Sequence, residues 1–189
     1  MAACRFFDVN DERIERVDNF PVPPDWWSRP YEYAWASNFV NPGETVLDAG
    51  CGLEHPFKFY LGRRVTAHAC DVDPNIKYVV VPPGCNLTLV RADFTLLPYP
   101  DEYFDTIFCI SVLEHVSMAT QDSGIKEFKR VLKPGGRLVV TVDVPLVHPE
   151  HLINMVKNAA LEVGKVNYML PGNAITGYDL HCFKILATK

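Results

Sequence analysis

The sequence predicts an α/β sandwich built on a mostly parallel sheet. Three observations predict it. Apolar, β-prone runs alternate with helical stretches five times, and two further β-prone runs follow at the end. Successive runs end in Asp48-Ala49-Gly50, Asp71, Asp93 and Ser111. Clustered acids at one sheet edge repel one another and add nothing to stability, so they point to a ligand there. The first run, Thr45-Val46-Leu47-Asp48-Ala49-Gly50-Cys51-Gly52, turns from apolar residues to two glycines at alternate positions. A buried parallel strand looks like this where it opens into a tight turn, and ligands of such sheets bind past the carboxyl ends of the strands. Gly50 and Gly52 have no Cβ, so the backbone there can lie against that ligand.

The elements follow in order. Residues 1–40 hold nine aromatic residues, among them Trp26, Trp27 and Trp35, with Pro21, Pro23, Pro24 and Pro30 between them. From Ser28 the chain reads as a helix, with Ser28 as N-cap and Pro30 in the first turn. Two readings of this segment stand: a cover for one side of the core, or a lid that closes over a ligand and offers stacking faces. Pro56 suits the first turn of a short helix, and Gly62 can end it. Residues 64–71 read as the second strand, and Asp73-Pro74 turns into a short helical segment. Residues 86–91 are the third strand and 106–111 the fourth. Asp122 or Ser123 caps a helix whose Ile125, Phe128, Val131 and Leu132 share a face. Pro134-Gly135-Gly136 ends that helix, and 137–142 is a β-branched fifth strand. Residues 149–163 carry a helical pattern. Two strands, about 165–170 and 180–188, close the chain as an antiparallel hairpin.

The totals narrow the function classes. The 189 residues suit one domain with a real core, 1–40 as its aromatic cover and 41–189 as its body. A formal net charge of −5 with scattered basic residues is no footprint for nucleic acid. No apolar run approaches a membrane span, and Arg5, Asp8, Asp11 and Glu12 leave no room for a signal peptide. The six cysteines sit far apart without a CxxC pair, as in a reduced, cytoplasmic protein. His148 and His151 have a metal-ligand spacing but no third partner, so no metal is expected.

The ligand can be narrowed further. The dinucleotide fingerprint GxGxxG becomes Gly50-Cys51-Gly52-Leu53-Glu54-His55, with an acid where a pyrophosphate would approach a helix N-terminus. That disfavours a nicotinamide cofactor and its oxidoreductase chemistry. A ribose without phosphate fits better, with Asp71 placed to accept both hydroxyls and Asp93 to accept from an adenine amino group. A cationic ligand also suits the acidic rim.

Here the sequence resembles the class I S-adenosylmethionine-dependent methyltransferases. The matching residues are Val46-Leu47-Asp48-Ala49-Gly50-Cys51-Gly52, Asp71-Val72-Asp73-Pro74, Ala92-Asp93-Phe94 with 97–105, Ser111-Val112-Leu113-Glu114-His115-Val116, and 132–138. Five motifs stand in the family's order and spacing over about 45–141. The resemblance implies a Rossmann-like three-layer α/β/α sandwich with a seven-stranded sheet, its last strand antiparallel. It implies S-adenosyl-L-methionine as cofactor. By position, Asp48, Gly50, Cys51 and Gly52 surround its methionine part and Asp71 holds the ribose. Val72 packs on the adenine, and Asp93 with the Phe94 backbone holds the adenine amino group. Ser111 and Val112 lie beneath the sulfonium. The departure is Leu53-Glu54-His55, where many members keep a small residue or glycine, and it bears on the cofactor's carboxylate.

Methyl transfer is an in-line displacement on an activated carbon, so the protein mainly positions the acceptor and excludes water. His115, just past the fourth strand, is the candidate general base, or a helix-start histidine with a structural hydrogen bond. Glu114 is expected to orient substrate or to cap a helix. Tyr31 and Tyr33 belong to the aromatic segment and pack in the core or reach the cofactor. The acceptor is expected to be a small molecule with an oxygen or nitrogen nucleophile, its selectivity set by 1–40 and the loops 114–122 and 144–149. A protein or peptide side chain is the alternative acceptor. A different class also stands, a cofactor-binding partner or sensor without transfer. No motif encodes an oligomeric state.

Overall fold

A computed structural model describes residues 4–189. The central path of the sheet runs β6 (Leu87–Arg91), β5 (Thr66–Asp71), β4 (Thr45–Ala49), β7 (Phe104–Ile110), β8 (Leu132–Val144) and β11 (Leu180–Thr188). The first five are parallel and β11 is antiparallel to β8. The free edge of β11 is shared by three two-residue strands. These are β9 (Glu162–Val163), β1 (Arg5–Phe6) and β10 (Thr176–Gly177), all antiparallel to it. The expected seven positions are thus present, with the last one divided. A separate hairpin joins β2 (Arg16–Val17) to β3 (Phe20–Pro21).

Alternation along each strand sorts the core into two faces, because successive side chains point to opposite sides. Leu47, Ile107, Cys109, Leu138, Val140, Phe183 and Ile185 face one way. They meet Ile125, Phe128 and Val131 of α3 (Met118–Val131) and Leu152, Ile153 and Val156 of α4 (Pro149–Asn158). Val46, Phe108, Val139 and Leu186 face the other way. They meet Tyr33 and Ala36 of α1 (Arg29–Ser37) and Phe57 and Leu61 of α2 (Phe57–Gly62). The chain passes from β4 outward through β5 and β6, then returns to the opposite side of β4 as β7. That reversal leaves a crevice at the carboxyl ends of β4 and β7.

Four local expectations are corrected. α3 begins at Met118, not after Asp122 or Ser123: Ser117 Oγ accepts from Thr120 N at 3.2 Å, and Asp122 instead pairs with Lys126 one turn on. Most of the expected 114–122 loop is therefore helix. α4 stops at Asn158, because Ala160 takes the left-handed region at φ 59° and turns the chain into β9. Residues 165–170 form no strand against β11, since β1 occupies that edge; Cys4 N donates to Lys165 O and Asn167 N to Cys4 O, both at 2.8 Å. Ser28 is the N-cap position of α1, but its hydroxyl donates to Glu32 rather than accepting from the helix. Among the described residues, no helix is long and apolar enough to cross a membrane.

Candidate active site

One cavity of about 530 Å³ opens over the β4/β7 crevice. Its floor is the turn after β4. Gly50 and Gly52 take φ 73° and 57°, the left-handed region that L side chains rarely adopt. The space a Cβ would need is already filled: it would fall 2.6 Å from Val112 Cγ1 at Gly50 and 2.5 Å from His55 Cδ2 at Gly52. Asp48 and Cys51 complete this wall. Asp71 and Val72 line the cavity at the end of β5, Asp93 and Phe94 beyond β6, and Ser111 and Val112 beyond β7. All ten residues that the sequence assigned to a cofactor thus face one space. His115 lines it too.

The turn is braced from both sides. Asp71 Oδ2 accepts from Gly52 N and its Oδ1 from Asp73 N, both at 2.9 Å. Lys58 is fully buried, and its Nζ donates to the carbonyls of Gly52 (2.9 Å) and His55 (2.5 Å). Burial pushes the Lys58 ammonium below its ordinary pKa. Burial also pushes Asp48 up to about 7; Lys58 works against this and the Asp71 charge adds to it. His55 is pushed down to about 4 by burial first and then by Arg29 and Lys58, so it is neutral. Its Nδ1 shares a 3.0 Å hydrogen bond with Tyr33, and Trp26 stacks on its ring at 4.4 Å.

A second network ties α1 to the strand ends. Glu32 is fully buried. Its Oε1 accepts from Thr141 Oγ1 (2.5 Å), Ser111 Oγ (2.6 Å) and Cys182 Sγ (3.3 Å). Its Oε2 accepts from Arg29 Nη1 (2.5 Å) and Ser28 Oγ (3.1 Å). Burial alone would raise its pKa, but Arg29 and the hydroxyl donors outweigh it and hold the carboxylate charged. Ser111 sits at φ 48°, a strained conformation that these bonds hold in place. Arg29 and Tyr33 both line the cavity.

Glu114 does not line the cavity, and it caps no helix: the residue before 113–115 is Val112, and Ser117 caps α3. Its Oε1 accepts from Asp143 N at 3.3 Å, while its Oε2 and Asp143 Oδ1 are buried without a partner among the described residues. Sequence reasoning missed Arg29, Glu32, His55 and Lys58 as site residues. His148 and His151 lie with ring centroids 5.4 Å apart, and among the described residues no group of three ligands could hold a metal.

The residues present fit S-adenosylmethionine. The glycine turn lets bare backbone line the cavity at positive φ, Asp71 and Asp93 stand at successive strand ends, and three acids suit a cationic ligand.

A family model described as a methyltransferase domain matches residues 47–140. Phosphoethanolamine N-methyltransferase 1 of Zea mays is 30% identical over 108 residues, 54% of this chain and 21% of that protein. Sterol 24-C-methyltransferase ERG6B of Gibberella zeae is 32% identical over 169 residues, 68% of this chain and 43% of that one. The chain thus spans less than half the length of these curated relatives. Among solved structures, a TehB-like SAM-dependent methyltransferase from Corynebacterium glutamicum superposes with a TM-score of 0.67 at 19% identity, covering 84% of this chain and 86% of that one.

Proposed function

Because this chain belongs to the class I S-adenosylmethionine-dependent methyltransferases, we propose that it transfers a methyl group to a small-molecule oxygen or nitrogen nucleophile. The carrying observation is the Gly50/Gly52 turn at positive φ, held against the Asp71 carboxylate in one cavity with Asp48 and Asp93. When bound, the cofactor supplies a methyl carbon on a sulfonium that is already primed for displacement.

Every other part is positioning. Asp71 accepts from the ribose hydroxyls, Val72 covers one adenine face, and Asp93 with the Phe94 amide holds the adenine edge. Gly50, Cys51 and Gly52 cradle the methionine part beside Asp48. Ser111 and Val112 form the floor below the sulfonium. The acceptor enters over His115, which lies on the same wall as Val112. There His115 would take the proton that the acceptor's oxygen or nitrogen gives up on transfer. Glu114 acts from behind this wall by fixing the Asp143 backbone. The acidic cavity disfavours a polyphosphate or nucleic-acid acceptor. The two relatives' names span a nitrogen and a carbon acceptor, so the family alone does not choose the atom.

Calorimetric titration with S-adenosylmethionine and S-adenosylhomocysteine tests the reading. Binding of both at about micromolar affinity supports it; a folded chain that binds neither overturns it. Methyl transfer to any acceptor then separates an enzyme from a cofactor-binding partner.

A further inference from the structure

We propose that Arg29 binds the carboxylate of the cofactor's amino-acid end, and that Glu32 is the residue that positions it. This rests on the methyltransferase reading but reaches outside the segment 47–140 that the family model matches.

The argument is one of charge and of available donors. Arg29 is the only Lys or Arg among the described residues that line the cavity, facing Asp48, Asp71 and Asp93. Its side chain is only 16% exposed. A guanidinium stays charged, so one this sheltered needs anionic partners on more than one edge. Glu32 takes one edge: both hydrogen bonds that Arg29 makes among the described residues, to Glu32 and to Ser28, run through Nη1. Nε and Nη2 donate no hydrogen bond there, and Tyr33, another polar neighbour of the guanidinium, is neutral. Glu32 is itself locked by Ser111, Thr141 and Cys182, so the guanidinium is held from behind and its other edge is free for a second carboxylate.

The cofactor carries a sulfonium, an ammonium and one carboxylate. The three acids suit the two cations and the ribose; none suits the carboxylate. Two of the donors near the turn are already engaged, and a third position has none. Gly52 N donates to Asp71, Lys58 Nζ is turned onto backbone carbonyls, and α2 starts after Pro56, which has no N–H. Arg29 is the one cationic side chain among the described residues that faces the cavity with donors to spare.

The test compares three nucleosides by titration calorimetry. They are S-adenosylhomocysteine, S-adenosyl-3-thiopropylamine (the same thioether lacking the carboxylate) and 5′-methylthioadenosine. The native chain should prefer the first over the second by roughly ten- to a hundredfold, the worth of a charge-assisted hydrogen bond pair. Removing Arg29 alone would strand a buried Glu32, so the variant is Arg29→Gln with Glu32→Gln. In it the preference should collapse to about twofold or less, with 5′-methylthioadenosine binding unchanged within about twofold. A variant that keeps the full preference overturns the proposal, as does a native chain with none. Should the double variant not fold, Arg29→Lys decides, since it keeps Glu32 paired but loses the planar fork; an undiminished preference there also overturns it. A native chain that binds none of the three sinks the methyltransferase reading as well. A native chain that binds all three alike sinks only this one.

Discussion

At Gly50 the backbone, not a side chain, makes the site. Its φ of 73° costs an L residue roughly 1–2 kcal/mol. A Cβ would also meet Val112 Cγ1 at 2.6 Å. Gly50→Ala should therefore lower the melting temperature and push Val112 into the cavity. Titration with S-adenosylhomocysteine should show a loss of affinity larger than the loss of stability alone would give; unchanged affinity would place the ligand away from this turn. Gly50, Asp71 and Asp93 were legible in the sequence because a parallel strand, buried on both faces, writes its end locally, as an apolar run followed by an acid or a glycine. Glu32 was not legible. Its partners Ser111, Thr141 and Cys182 are 79, 109 and 150 residues away, and no local pattern marks an acid that only long-range packing makes useful. Lys58 was hidden for a similar reason: on a short helix it reads as a solvated residue, and only the fold turns its ammonium under the glycine turn. His55 was read as a departure from a motif, but the structure gives it partners in Tyr33 and Trp26.

At the scale of elements, the aromatic N-terminal segment has the wrong burial for a freely moving lid. Phe7 is wholly buried and Phe6 nearly so, and β1 holds the middle of the edge of β11. α1 then carries Glu32 to the ends of β7 and β8. Losing a buried phenylalanine costs about 3–5 kcal/mol, and two approach the whole stability of an ordinary domain. Deleting residues 1–27 also strips β11 of an edge neighbour and leaves a pairing template exposed. The expected outcome is a chain that melts far lower or aggregates, read by thermal denaturation and size-exclusion chromatography. A soluble, cooperatively melting truncation would return this segment to the role of a detachable cover. The hairpin expected at the other end failed for the same cause. The 165–170 run has a β-prone pattern, but the edge it would fill is taken by residues that come from the opposite end of the chain. Edge order of this kind is a competition between distant segments, and a local pattern cannot settle it.

For the molecule as a whole, the buried acids set how stability varies with pH. Glu114 is pushed up to about 8 by burial, with the Asp143 and Glu32 charges adding to it. Its native pKa lies above its unfolded value of about 4.3, so between the two the native state holds a proton that the unfolded state has released. Its contribution is therefore complete below the unfolded pKa and is lost as pH rises toward 8. Asp48, at about 7, and Asp143, pushed to about 6 mainly by burial, act in the same direction. His55 acts the other way: held neutral with a pKa of about 4, it costs stability as pH falls below its ordinary value. The chain without cofactor should thus gain stability as pH falls from about 8 to about 6.5, the interval above the unfolded pKa of histidine. Glu114→Gln isolates one part of this, because comparison with the native chain at each pH cancels the other groups. Glutamine resembles the protonated acid, so the variant should be the more stable by about 1–3 kcal/mol at pH 8, a few degrees in Tm, with the difference shrinking as pH falls and vanishing below about pH 4. Melting curves across that range check it. A variant that is less stable at every pH would show instead that Glu114 is needed as a charged acceptor for the Asp143 amide, and would move its role from electrostatic burden to structural support.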